Sequence, residues 1–338
     1  MRKSTKYLLF SLSISFLTIG ALIYSSTKQG LWRALYQVKL SYVFVAVLLH
    51  VSGWFFWAIR TQILSRTIGL DLSFRRVFEV ILSSNFVACL TPAFIGGEAS
   101  RIYFLRDSED GSMGKSSAIV FGERFLDLIF LVFVGGLSLA FISRELFHIP
   151  RIELLFLVLG LAVTLIISIV LVILYSPEHV KKLFRWIGAP LDGFRPGSVE
   201  SINHQVDSFQ EGIMIYLKRG KGELITAFGF TVILWTLEFS IPFVIIEGVG
   251  GEILFLEAWS SYPLVLGVMM IPLTPGSSGV AEIGFTAVYS TIAEIPSIGI
   301  VVLLWRFSTY YMNLSVGGFL SSVYLKNLDA VERKIEST

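Results

Sequence analysis

Six stretches of this chain, about 7–25, 40–59, 118–142, 152–175, 224–246 and 298–324, are apolar over nearly the length that crosses a bilayer. A helix spans the hydrocarbon core with roughly 20 such residues. Inside lipid no water satisfies the backbone, so each run must close its own hydrogen bonds as a helix. Composition agrees: 54% of the 338 residues are hydrophobic, 15% are charged, and the mean hydropathy is +0.74. A soluble domain carries about 25% charged residues. A net charge of +2 provides no basic field for nucleic acid. One cysteine, Cys89, excludes an internal disulfide, and four scattered histidines lack metal-ligand spacing, so no metal or cofactor is expected. Arg2, Lys3 and Lys6 precede the first run as in a signal peptide, but Tyr7 to Tyr24 is long enough to span and no clear cleavage site follows. It reads as an uncleaved first helix.

Two further apolar stretches are interrupted. Residues 77–91 stop at Thr91-Pro92, and 256–294 are cut by Pro263, Pro272, Pro275, Gly276 and Gly279. Such breaks free backbone groups in lipid, so they belong where protein or a wet cavity surrounds them. Thr91-Pro92 leads to Gly96-Gly97-Glu98, as Thr274-Pro275-Gly276 leads to Gly279 and Glu282. Each is followed by an arginine inside an apolar helix, Arg124 and Arg306, at 32 and 31 residues from the proline, and 11 residues further by Gly135-Gly136 and Gly317-Gly318. Four features in one order at nearly one spacing read as an internal repeat, frequent among transporters.

Loop charge sets the orientation. The N-terminus, 60–76 (with Arg60, Arg66, Arg75, Arg76), 176–223 and the C-terminus are basic, while 247–257 holds only Glu247, Glu252 and Glu257. The positive-inside rule places the basic segments and both termini in the cytoplasm of a cell-membrane protein. That requires 77–105 to be a re-entrant hairpin with a short returning arm, and 256–294 a second one entered from outside. The expected fold is a single all-α polytopic membrane domain over 1–338. It has about six full spans and two re-entrant broken-helix hairpins, with an inverted repeat over about 77–142 and 256–324. In the inner loop 176–223, Val199, Ile202, Val206, Phe209, Ile213 and Tyr216 recur at helical spacing and predict an amphipathic helix on the membrane surface or against the bundle.

Charges in apolar segments are costly and mark candidate sites. Glu123 and Asp127 share a helix face with Arg124 beside them. That trio fits either a self-neutralising structural cluster or a polar cavity that aims Arg124 at an anion. Arg306 needs an anion from elsewhere, with Glu282 and Glu98 the protein candidates. Glu238 is a further carboxylate within a span, either a proton site or a bundle-facing polar group. At the hairpin tips, Gly97 and Gly276 permit close backbone approach, and Thr91, Thr274, Ser277 and Ser278 supply hydroxyls. Two tips meeting at the midplane, flanked by Arg101, Arg124 and Arg306, would form an anion site suited to phosphate. Gly276-Ser277-Ser278-Gly279 imitates an intramembrane serine protease, but no histidine base lies beyond His204. An aspartyl protease needs two facing aspartates, and only Asp127 lies well inside a span. An enzyme acting on a lipid phosphate stays open. No phosphate-cradling Gly-x-x-x-x-Gly-Lys-Ser/Thr occurs, so ATP is not expected.

Pro92 to Arg101, Glu123-Arg124-Phe125-Leu126-Asp127, and Pro272 through Glu282 resemble three signatures of the flippase-like, lysylphosphatidylglycerol synthase transmembrane-region family. This family includes the membrane half of bacterial multiple-peptide-resistance proteins and stand-alone relatives. Ser277-Ser278 departs from the family's second glycine region, which bears on tip geometry. The resemblance implies translocation of an anionic phospholipid or a polyprenyl-phosphate-linked substrate, with membrane lipids as partners. It implies no synthetase activity, because the soluble synthetase domain is expected to be missing where 14 residues follow Tyr324. On this reading the arginines and tip residues bind substrate, while Glu98, Glu123, Asp127, Glu282 and Glu238 balance charge or carry protons. Alternatives are a lipid-phosphate enzyme or a partner subunit of a glycosyltransferase or synthetase, and homo-oligomers are allowed.

Overall fold

Prolines, glycines and helix caps partition the chain. The computed structural model describes residues 3–26, 35–36, 38–106, 112–146 and 198–322, with six isolated positions between 164 and 182. Among these residues the secondary structure is helical, without named strands: α1 (Lys3–Ser26), α2 (Leu40–Thr67), α3 (Phe74–Cys89), α4 (Ile95–Arg106), α5 (Met113–Leu146), α6 (Ser198–Lys218), α7 (Lys221–Gly248), α8 (Phe255–Met269), α9 (Val280–Ile292) and α10 (Ile298–Arg306). After Arg306 the helix widens into a π turn, Phe307–Tyr311, then resumes through 322. The expected span at 152–175 and the basic C-terminus lie outside the described residues. The fold is therefore all-α. Two of its described helices, α2 and α7, are by length and composition sufficient to cross a bilayer.

Those two helices make the most extensive helix–helix contact in the bundle. One core cluster gathers Phe239, Tyr262, Phe285, Tyr289 and Trp305 from α7 to α10, and another gathers Leu64, Val77, Ile81, Ile119 and Leu126 from α2, α3 and α5. The amphipathic helix expected in the inner loop is α6. Its Val206, Phe209 and Tyr216 are buried, and it packs on α5, where Gly114 N–H donates to Gln205 Oε1 at 2.7 Å. The Tyr216 hydroxyl donates to the Leu64 carbonyl at 2.9 Å, tying α6 to α2. The aliphatic stripe thus meets protein, which is how an amphipathic face is ordinarily satisfied.

The interrupted stretches form two helix–break–helix hairpins. In the first, Ser73 caps α3 by accepting the Arg76 N–H, and Leu90–Phe94 turn the chain into α4. In the second, residues 270–279 join α8 to α9. The two glycine pairs of the sequence repeat behave differently. A Cβ at Gly317 would collide with the Leu82 carbonyl oxygen on α3, whereas Gly135 and Gly136 have nothing within 4 Å among the described residues. The second pair serves close helix packing, as small residues do in membrane bundles.

Candidate functional site

The hairpins meet tip to tip. Pro92 and Pro275 form an isolated antiparallel bridge, the Gly276 N–H donates to the Thr91 carbonyl at 3.1 Å, and the Tyr310 hydroxyl donates to the Cys89 carbonyl at 3.3 Å. Backbone groups freed by one break are thereby satisfied across the other, as burial in lipid demands. The turns are tight: Ala93, Phe94 and Ser277 take positive φ of 48°, 59° and 50°, a region costly for side chains with a Cβ. Tip hydroxyls are engaged locally. Thr91 Oγ1 accepts the Gly96 N–H at 3.0 Å, Thr274 donates to the Ser278 carbonyl and Ser277 to the Met269 carbonyl, each at 2.6 Å. Gly97 is buried where a Cβ would press on Ala88.

Behind the first tip lies a network of three arginines and three carboxylates. From α2, Arg60 donates to Asp127 at 2.5 Å, to the Thr231 hydroxyl at 3.1 Å and to Glu123 at 3.4 Å. From α4, Arg101 bridges Glu98 at 2.7 Å and Glu123 at 2.9 Å. From α5, Arg124 meets Asp127 at 3.1 Å and Glu98 at 3.4 Å. Thr61 also donates to Glu123, the Trp235 indole donates to Asp127 at 2.8 Å, and the Trp57 ring lies 5.0 Å from the Arg101 guanidinium and 5.6 Å from that of Arg124. Full burial of such charges is tolerated only with this degree of pairing. Arg124 differs from the others: its side chain is 37% exposed, against 0% for Arg60 and 1% for Arg101.

The second half repeats one element of this. Arg306 grips Glu282 bidentately, Nε to Oε1 and Nη2 to Oε2, both at 3.0 Å, and also donates to the Ser277 carbonyl at 3.2 Å. Glu282 further accepts the Gly279 N–H at 2.7 Å, capping α9, and the Ser15 hydroxyl of α1 at 2.6 Å. So in each half the glutamate after the hairpin tip pairs with the arginine of the following helix: Glu98 with Arg124, Glu282 with Arg306. The first pair is partly open; the second is sealed. The anion expected for Arg306 is Glu282.

Between the two networks runs a cavity of about 220 Å³. Its polar lining includes Arg60, Arg124, Asp127, Arg306, His50 and Glu238, set among Trp54, Trp57, Trp235, Tyr262, Trp305 and Tyr310. His50 Nδ1 lies 2.8 Å from Glu238 Oε1, and Gly53 makes room, since a Cβ there would sit 2.8 Å from that oxygen. Of the expected site residues, Arg124, Asp127, Glu238 and Arg306 face the cavity. Arg101, Glu98, Glu123 and Glu282 stand behind as their partners, and Thr91, Gly97, Thr274, Gly276, Ser277 and Ser278 build the tips. The expectation that Arg60 belongs to the basic loop 60–76 is corrected: it is the most buried cation of the network, because α2 continues to Thr67. The absence of glycine and proline between Gly53 and Gly69 was the available signal. His50, too, carried no sequence signal, since its partner lies 188 residues away.

Every charged residue of the three sequence signatures therefore stands in one of these two networks. The family model described as the lysylphosphatidylglycerol synthase TM region matches residues 8–317. The chain belongs to this family. It is similar to a UPF0104 membrane protein of Archaeoglobus fulgidus, 28% identical over 92% of this chain and 97% of the relative. It is also similar to UPF0104 membrane proteins of Pyrococcus horikoshii, 25% identical over 93% and 96%, and of Methanocaldococcus jannaschii, 23% identical over 93% and 94%. Family membership and the apolar helices place the chain in a membrane.

Proposed function

We propose that this protein is a flippase-type carrier for a phosphate-bearing lipid, an anionic phospholipid or a polyprenyl phosphate. The headgroup crosses through the central cavity while the hydrocarbon chains remain in the bilayer. One observation carries this reading: a cavity bordered by three guanidiniums inside an apolar bundle, at the junction of two broken hairpins. Arg124 is the docking group. Its Nε and Arg60 Nη2 have no hydrogen-bond partner among the described residues, and a phosphate can take Glu98's place on Arg124 more easily than Glu282's on the sealed Arg306. Arg101 and Arg306 act through the network rather than on the ligand. The lipid-synthase name of the family fits a lipid-related role.

The test is reconstitution in liposomes with fluorescent phosphatidylglycerol or polyprenyl phosphate. Leaflet exchange is expected well above protein-free vesicles, and Arg124→Gln is expected to lower it at least about tenfold, the loss of one charge-assisted contact of roughly 1.5–3 kcal/mol. Absence of exchange, with release of lipid phosphate instead, would replace the carrier by an enzyme. Exchange only in the presence of a glycosyltransferase or synthetase would make it a partner subunit.

The same reading includes cytoplasmic termini in the cell membrane, six full spans and an inverted repeat of re-entrant hairpins. Single cysteines placed within 107–112 are expected to react with impermeant maleimide only from the cytoplasmic side, and those within 248–252 only from outside. External labelling of the first set would rule out the inverted arrangement.

A further inference from the structure

The charge ledger of the buried networks is uneven. Arg60, Arg101, Arg124 and Arg306 are four cations; Glu98, Glu123, Asp127, Glu282 and Glu238 are five carboxylates. Four carboxylates meet an arginine. Among the described residues the fifth, Glu238, pairs with His50 alone. With Glu238 as a carboxylate, which only accepts hydrogen bonds, the 2.8 Å contact assigns the hydrogen to His50 Nδ1. The other ring nitrogen, Nε2, is then a bare lone pair. It has no hydrogen-bond partner, and the residue is 5% exposed and borders the cavity.

We propose that the His50–Glu238 pair is a proton-binding site, and that one proton on His50 Nε2 accompanies each anionic headgroup through the cavity. Nε2 takes a proton from water on one side of the membrane, forming an imidazolium beside the Glu238 carboxylate, and returns it to water on the other. No other bond is made or broken. The charged and titratable groups facing the pair are Arg60 on α2, Cys89 on α3, Arg124 and Asp127 on α5, Tyr262 on α8, and Arg306 with Tyr310 along α10 and its π turn. Each of those arginines already has its carboxylate. An incoming headgroup therefore adds a negative charge to a network that holds one in excess, and in a low-dielectric cavity that favours uptake of a compensating proton. Headgroup and proton binding are then reciprocally linked, and a singly charged phosphodiester headgroup crosses with its proton as a neutral pair, avoiding the cost of moving net charge through the bilayer.

This inference rests on the carrier reading, and the experiment separates the two. Vesicles containing the full chain, short-chain fluorescent phosphatidylglycerol and an internal pH dye are given a gradient of about one pH unit. One-to-one coupling predicts roughly tenfold leaflet asymmetry at steady state, the free-energy equivalent of that gradient, with acidification or alkalinisation of the lumen in step with lipid movement. His50→Gln and Glu238→Gln are expected to lose the gradient response and the proton flux and to slow exchange, while thermal unfolding in detergent shows the fold retained, which separates lost coupling from misfolding. Wild-type exchange without proton movement, or coupled exchange in both variants, overturns the proposal and leaves the carrier intact. No exchange at all removes the carrier and the coupling together. Independently, 15N spectra of histidine-labelled protein, with His50→Gln assigning the signal, are expected to show Nε2 gaining a proton as the medium is acidified. A ring that keeps one proton throughout overturns the site whatever the lipid does.

Discussion

Replacing Glu282 with alanine is expected to cost about 3–5 kcal/mol of stability, the penalty for stranding one member of a buried ion pair. The substitution leaves Arg306 at 1% exposure with the Ser277 carbonyl and the Trp305 and Tyr310 rings, uncaps the Gly279 N–H and leaves the Ser15 hydroxyl with Tyr311 in place of two partners. Glu98→Ala, which disturbs the equivalent pair in the first half, is expected to cost less than the Glu282 change, because Glu98 and Arg124 are more than a third exposed, Arg124 keeps Asp127, and the buried Arg101, which also loses its contact with Glu98, keeps Glu123. Thermal unfolding in detergent reads the difference. Equal losses in the two variants would mean that the open and sealed pairs are not distinct. The contrast also separates roles: Glu98→Ala is expected to alter lipid exchange at unchanged fold, while Glu282→Ala lowers both. A double variant, Glu282→Gln with Arg306→Met, removes the stranded charge and is expected to recover much of the stability.

The second large effect is expected at Gly276. Its φ is +58°, and a Cβ there would lie 2.6 Å from the Tyr310 ring and 2.7 Å from the Cys89 carbonyl oxygen. Gly276→Ala combines a left-handed backbone at about 1–2 kcal/mol with overpacking at about 1–3 kcal/mol, and the backbone oxygen cannot move aside without opening the tip-to-tip contact. A loss of roughly 2–5 kcal/mol should appear as a lowered unfolding temperature. Gly135→Ala is the control. Among the described residues nothing lies within 4 Å of its added Cβ, and alanine's better helix propensity, up to about 1 kcal/mol over glycine, should leave stability unchanged or raised. An unaffected Gly276→Ala protein would show that the tips do not hold each other as described.

Much of this was legible in the sequence because membranes translate composition into position. Prolines and glycines marked both hairpins, since a break in an apolar run is costly anywhere but a protected tip. Arg124 and Arg306 stood out because cations in apolar helices need a reason. What escaped was pairing across the chain. Arg60 sits at the edge of an apolar run and looks like a loop charge until α7 and α5 are seen to enclose it. Ser15 is one hydroxyl in a hydrophobic helix, and nothing local says that it finds Glu282 267 residues away. The functions of Gly97 and the tip serines were equally hidden: small residues fit a ligand's approach and a neighbour's packing alike, and only the neighbouring atoms separate the two.

The tip-to-tip contact also dictates a problem of biosynthesis. Cys89 and Tyr310, which close it, are 221 residues apart. At a ribosomal rate of roughly 5–20 residues per second, the first hairpin waits about 10–40 s for its counterpart. Throughout that interval its broken backbone sits in or beside lipid with its partner unmade. The nascent chain must therefore be sheltered, by the insertion machinery or by the half-built bundle itself, until the second hairpin arrives. A lesion that merely delays the second half would then act as an assembly defect in the first.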